Sequence, residues 1–181
     1  PVRSDVTAYF ISGASSGLGA EMARQLVARG DSVAIAARRL ELLEALQEEL
    51  APLPGKVSVH ALDVTDAAAV MAAMRMADIQ LGGLDVVVVN AGIAGGARLG
   101  TGGFARNRDL VETNFTGALA QIEAAMELFR GRGRGHLVLV SSLASVRGLP
   151  GTSAVYSATK AALALLGESL RTELAGTGIS G

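Results

Sequence analysis

Apolar and polar positions along the chain follow two rhythms. Short apolar runs occur at Val6–Ser12 (VTAYFIS), Ser32–Ala37 (SVAIAA), Val57–Leu62, Leu84–Val89 (LDVVVV) and His136–Ser141. Between them, Leu18–Arg29, Leu40–Leu50, Ala67–Leu81, Phe104–Phe129 and Ala154–Leu174 repeat apolar residues every three or four positions. The first rhythm predicts strands and the second helices. A run such as LDVVVV is apolar on both faces, which suits a parallel sheet covered on both sides. Breaks fall between the elements: Pro52, Pro54 and Gly55 stop the second helix, Asp66 is placed to cap the third, and Gly131–Gly135 closes the fourth. Five alternations of strand and helix imply right-handed crossovers. The predicted fold is therefore a single α/β domain, a doubly wound Rossmann-type parallel sheet with helices on both faces, over residues 1–181. A turn at Gly176–Gly181 normally leads into another strand, so the chain is expected to continue beyond it.

Composition narrows the class. A chain of 181 residues, half hydrophobic and 18% charged, suits one folded domain with a sizeable core. Apolar runs such as Ala161–Leu166 fall far short of the ~18 residues of a spanning helix. The first ten residues carry Arg3 and Asp5 and no apolar signal core, so a cytoplasmic location is expected. Without cysteine there is no disulfide framework or thiol nucleophile. A net charge of −1 gives no global field for nucleic acid. Arg130, Arg132 and Arg134 alternate with glycines and lack flanking aromatics, which reads as a solvated turn rather than an RNA contact. His60 and His136 stand apart near strand ends, so no metal site is expected.

The strongest local signal is Ser12-Gly13-Ala14-Ser15-Ser16-Gly17-Leu18-Gly19, between the first strand and first helix. Glycines there permit a tight turn and close approach of backbone to a pyrophosphate, and the helix start offers free N–H donors. Ser15 and Ser16 add hydroxyls. About twenty residues on, the second strand ends in Arg38-Arg39, where a cofactor with a free ribose 2′-hydroxyl would meet a carboxylate. Guanidiniums instead match a 2′-phosphate, so NADP(H) is expected in preference to NAD(H). Asp63-Val64, after the third strand, is placed either to meet an adenine amino group or to cap a turn.

Tyr156-Ser157-Ala158-Thr159-Lys160 sets one of two tyrosines four residues before one of two lysines, in a chain with fourteen arginines. On a helix, positions i and i+4 share a face. An ammonium beside a phenol favours the phenolate and makes a general acid or base that works near neutrality. Ser142, fourteen residues upstream at the end of the fifth strand, is placed to donate to a carbonyl oxygen as charge develops on it. Its neighbours Ser141 and Ser145 compete for that role.

These residues resemble those of the short-chain dehydrogenase/reductase family. Gly13, Gly17 and Gly19, then Asn90-Ala91-Gly92, Asn114, Ser142 and Tyr156-x3-Lys160 stand in that family's order across essentially the whole chain. The resemblance implies hydride transfer between nicotinamide and a small carbonyl or secondary alcohol. In it Tyr156 exchanges the proton, Lys160 tunes Tyr156 and holds the ribose, and Ser142 polarises the carbonyl. Asn114 supports a water in a proton relay. Gly13, Ser15, Ser16, Gly17, Leu18 and Gly19 would meet the pyrophosphate, Asp63 and Val64 the adenine, and Asn90, Ala91 and Gly92 the rest of the crevice. The Ser142–Tyr156 spacing is one residue longer than the family's usual one, which an extra residue in Leu149–Val155 accommodates. Members usually continue further, so the resemblance implies a continuation that would supply two more strands and most of a substrate lid. A non-catalytic NADP(H) sensor on the same fold is the alternative. Leu119, Ala120, Ile122, Ala124, Ala125 and Met126 nearly encircle one helix, and Ala161–Leu166 gird another. Helices 104–129 and 154–174 are therefore expected to pair in a homodimer or homotetramer.

Overall fold

The computed structural model describes residues 6–181, so Arg3 and Asp5 lie outside the described residues. Six parallel strands form one sheet in the order β3-β2-β1-β4-β5-β6. They are β1 (Ala8–Ser12), β2 (Ser32–Ala37), β3 (Lys56–Ala61), β4 (Val86–Val89), β5 (Gly135–Leu139) and β6 (Ile179–Ser180). The helices are α1 (Gly17–Ala28), α2 (Leu40–Leu50), α3 (Ala67–Leu81), α4 (Phe104–Val111), α5 (Gly117–Arg132) and α6 (Ala154–Glu173).

Successive strand residues feed opposite faces, as a period of two requires. Phe10, Ala34, Ala36, Val87 and Val89 face α3, α5 and α6. Ile11, Val33, Ile35, Ala37 and Val88 face α1 and α2. Fully burying a Phe10 or Ile11 side chain contributes roughly 1.5–3 kcal/mol, so this double cover anchors β1 at the sheet's centre. The order reverses between β1, which pairs β2 on one side, and β4 on the other. Ligand crevices in doubly wound sheets open at the strand ends of such a switch point.

Two expectations change. The helix over Phe104–Phe129 is α4, a π-helical turn at Glu112–Thr116, and α5, which runs on to Arg132. The arginine-glycine stretch is thus partly helical: Arg130 pairs with Glu173, and Arg132 pairs with Asp78 at 2.9 Å and donates to the Leu84 carbonyl at 2.8 Å. Gly133 then ends the helix at φ +69°. Within Gly176–Gly181, read as a turn, Ile179–Ser180 already form a short strand that pairs with Gly135–His136. Asp66 caps α3, accepting from the Ala69 N–H at 3.0 Å. Among the described residues, no helix is long and apolar enough to cross a membrane, and no group of three His, Asp or Glu could hold a metal ion.

Candidate active site

The glycine loop joins β1 to α1 at the switch point, and Ser12 fixes it there. The Ser12 hydroxyl, fully buried, accepts from the N–H groups of Asn90 and Ala91 at 3.1 and 3.0 Å. Asn90 answers by donating from Nδ2 to the Ser12 carbonyl at 2.8 Å and the Gly13 carbonyl at 3.4 Å. The ends of β1 and β4 are therefore tied by side chains as well as by the sheet. Gly13 has φ +68°, and a Cβ on it would lie 2.8 Å from Ala91 Cα. A Cβ on Gly19 would come within 2.6 Å of the Gly13 carbonyl oxygen. No side chain fits at either position, which is why the loop can lie flat across the strand ends.

Beneath the loop is a crevice of about 210 Å³ lined by Gly13, Ser15, Ser16, Arg38, Asp63 and Gly92, among others. Arg39, Val64 and Ala91 also line it, as do Ile93 and Thr113. Arg39 reaches over the loop and donates to the hydroxyls of Ser15 and Ser16, each at 3.0 Å. Those hydroxyls keep their own protons to donate. Asp63 spends one carboxylate oxygen on the N–H and hydroxyl of Thr65, at 3.0 and 2.8 Å. The Thr65 backbone N–H, then its hydroxyl and the Arg38 guanidinium, hold the Asp63 carboxyl below its usual range. The turn-capping reading of Asp63 is thus realised, and its second oxygen remains available to the crevice. Leu18, expected to bind cofactor, is 68% exposed on the first turn of α1 and does not line the crevice. Gly17 and Gly19 shape the loop, and Asn90 braces it, without lining the crevice either.

The second group of residues lies at the ends of β4 and β5. Asn114, in the π-helical turn and 1% exposed, grips one loop residue at both ends: Oδ1 accepts from the Ile93 N–H and Nδ2 donates to the Ile93 carbonyl, each at 2.8 Å. Such turns recur at functional sites because they offset a side chain from the helical register. Both ends of the Asn114 amide are engaged by protein groups, so its observed work is to place the loop. A Cβ on Gly92 would lie 3.3 Å from Asn114 Oδ1 and 3.5 Å from Lys160 Nζ, so the three converge. Lys160 is buried and donates from Nζ to the Val140 carbonyl at 2.9 Å. Burial lowers its pKa from the ordinary 10.5. Tyr156 sits one helical turn earlier on α6, half-buried.

The three serines separate by what their protons do. Ser141 donates to the Lys160 carbonyl at 3.0 Å, and Ser145 donates to the Ser142 carbonyl at 2.6 Å. Ser142 Oγ instead accepts from the Ala144 N–H at 3.1 Å, which leaves its single O–H proton uncommitted. Reading the sequence gave no supporting role to three residues. Ser12 is a polar residue at the end of an apolar strand, Thr159, between Tyr156 and Lys160, donates to the Tyr156 carbonyl at 2.7 Å, and Asn107 stands seven residues before Asn114.

The comparisons agree with this architecture. Residues 7–180 match the family model described as short chain dehydrogenase. An uncharacterized oxidoreductase of Mycobacterium tuberculosis is 49% identical over 167 residues, covering 91% of this chain. The chain spans 66% of that relative's length. Among solved structures, a putative short-chain alcohol dehydrogenase from Sinorhizobium meliloti superposes with a TM-score of 0.91 at 31% identity, over 99% of this chain and 71% of that one. An alcohol dehydrogenase from Thermococcus sibiricus, complexed with 5-hydroxy-NADP, gives 0.86 at 29% identity, over 93% and 72%. The chain belongs to the short-chain dehydrogenase family of oxidoreductases, whose members use nicotinamide cofactors.

Proposed function

We propose that residues 1–181 carry the cofactor cradle and the acid–base machinery of an NADP(H)-dependent oxidoreductase acting on a carbonyl or secondary alcohol. The convergence of Gly92, Asn114 and buried Lys160 beside the glycine-loop crevice, one helical turn from Tyr156, carries this reading. The donor set fits a dinucleotide: a flat glycine loop, two serine hydroxyls and a helix start for the pyrophosphate, with Arg38 and Arg39 for a 2′-phosphate. When bound, the nicotinamide supplies or accepts the hydride.

The chain's own residues do the rest. Tyr156 gives its phenolic proton to the substrate oxygen during reduction and takes it back in the reverse direction. Lys160 holds positive charge near that phenol, which favours the phenolate. Ser142 aims its free O–H at the same oxygen and stabilises the charge developing there. Asn114 holds Ile93, and with it the Gly92 backbone, against Lys160. Leu119 and Leu165, exposed on α5 and α6, support pairing of copies through these helices.

Tyr156→Phe is expected to bind NADPH as the parent does and to lose about 10²–10⁴-fold in kcat. The measurement is NADPH absorbance over a panel of ketones and aldehydes, with binding followed by fluorescence. Activity within tenfold of the parent would remove Tyr156 as the acid. NADPH binding with no turnover of the whole panel would favour the sensor.

A further inference from the structure

Asn107, on α4, repeats the device of Asn114 seven residues earlier. Its Oδ1 accepts from the Ala97 N–H at 2.8 Å and its Nδ2 donates to the Ala97 carbonyl at 3.1 Å. Both asparagines thus read the backbone donor and acceptor of one residue, Ile93 and Ala97, in the loop that follows β4. Between those points Arg106 donates to the carbonyls of Ala94 and Gly95 at 2.8 and 2.7 Å. Asn107 is only 8% exposed, so its amide has no bulk water to trade with.

The clamp extends to the opposite wall. The Gly96 N–H, next to Ala97, donates to the Thr152 carbonyl at 3.1 Å. A Cβ on Gly96 would lie 2.7 Å from Asn107 Oδ1, 2.8 Å from Leu110 Cδ1 and 2.8 Å from the Thr152 oxygen. Here α4, the β4 loop and the loop leading into α6 meet at van der Waals contact. That last loop runs from Ser142 to Ser153, just before Tyr156 in the first turn of α6, and it is pinned to α6 where Ser157 Oγ accepts from the Leu149 N–H at 3.1 Å and donates to the Ser153 carbonyl at 2.9 Å.

We propose that Asn107 is a positioning residue for substrate. By fixing Ala97 and Gly96 it sets the separation between the β4 loop and the Ser142–Ser153 loop, the two walls to which this proposal assigns the carbonyl compound. The cofactor crevice is lined by Gly92 and Ile93 but not by Gly96, Ala97 or Asn107, and it is held by Ser12, Asn90 and Asn114, so Asn107 is assigned to substrate and not to dinucleotide. The proposal rests on the oxidoreductase reading for its kinetic consequence, but the clamp is a property of the fold.

The test uses the intact protein with Asn107→Ala and Asn107→Asp. Asn107→Ala is expected to raise KM for the best carbonyl substrate at least tenfold with kcat changed less than threefold and the NADPH Kd less than twofold. Amide exchange at residues 96, 97 and 149 is expected to speed up together. A protonated carboxyl offers one donor and one acceptor as an amide does, whereas a carboxylate offers only acceptors. KM of Asn107→Asp should therefore approach the parent's at low pH and rise as the carboxyl ionises, beyond any change in the parent. KM and NADPH Kd rising in step, or a pH profile of Asn107→Asp parallel to the parent's, would overturn the proposal, since either marks general loosening. Faster exchange at 96 and 97 without 149 would also overturn it. If no carbonyl compound is turned over, the exchange result still decides the clamp, and only the oxidoreductase reading has failed.

Discussion

On the β3-β2-β1 side of the sheet, the charges of the candidate site stand in solvent. Arg38, Arg39 and Asp63 are exposed, and their partners are hydroxyls and turn N–H groups. On the β4-β5-β6 side the polar groups are inside. Asn114, Thr159 and Lys160 are each at most 5% exposed, and each is bound to a backbone group or to one another. The first arrangement suits recognition, because a hydrated guanidinium can exchange its partner for a phosphate at little cost. The second suits proton chemistry, because a buried polar group without its partner costs about 1–3 kcal/mol and therefore stays in one geometry.

The largest difference should come from removing the exposed charges. Arg38→Ala/Arg39→Ala is expected to weaken NADPH by about 10–100-fold, from charge-assisted hydrogen bonds of about 1.5–3 kcal/mol. NADH affinity and Tm should stay as in the parent, and titration of both cofactors by fluorescence checks this. Equal weakening of NADH would move the two arginines from the 2′-phosphate to the shared pyrophosphate, a role that Arg39, already bonded to Ser15 and Ser16, is placed to fill.

Ser12 joins the two sides, so its loss should register in stability. Ser12→Ala leaves the Asn90 and Ala91 N–H groups without their acceptor, at a cost of about 1–3 kcal/mol. Urea unfolding with an unchanged slope is the measurement. A loss below about 0.5 kcal/mol, the usual range for a featureless surface change, would mean that the joint is made by the sheet alone.

Much of this was legible in the chain because it depends on local pattern. Four consecutive valines announce a doubly covered strand, and Gly13, Gly17 and Gly19 announce a phosphate loop through their spacing. Tyr156 and Lys160 stand out by the scarcity of their kinds. Long-range partners leave no such mark. That α5 continues to Arg132 depends on Asp78 and Glu173, which the fold brings alongside. The π-helical turn at Asn114 has no residue signature. Ser12 and Asn107 could be any polar residues until β1, β4 and their loops are in place. Ser141, Ser142 and Ser145 differ only in the fold, where the hydroxyls of Ser141 and Ser145 donate to backbone carbonyls and that of Ser142 does not.

The smallest effect sharpens the contrast by pH. Each side buries a group whose protonated form is cationic: His60 on β3, and Lys160. His60 packs against Phe10 with ring centroids 6.3 Å apart, and its Nε2 lies 3.1 Å from Ser58 Oγ. Burial lowers the pKa of both groups, His60 from 6.5 and Lys160 from 10.5. A folded pKa below the unfolded one means that, between the two values, the unfolded chain binds more protons, so stability rises with pH there. For Lys160 that window opens below 10.5 and for His60 below 6.5, and comparison with a His60 variant separates the two. Acidification below 6.5 should lower the unfolding free energy of the parent by at most about 1.4 kcal/mol per pH unit from this one group. His60→Leu should remove that increment while leaving the alkaline limb in place. His136, exposed and bonded through Nδ1 to Ser180 at 2.8 Å, is common to both proteins and cancels in the difference. An acid limb of equal slope in His60→Leu would show that the β3 side tolerates a charged imidazole, and that burial of titratable groups does not distinguish the two sides of the sheet.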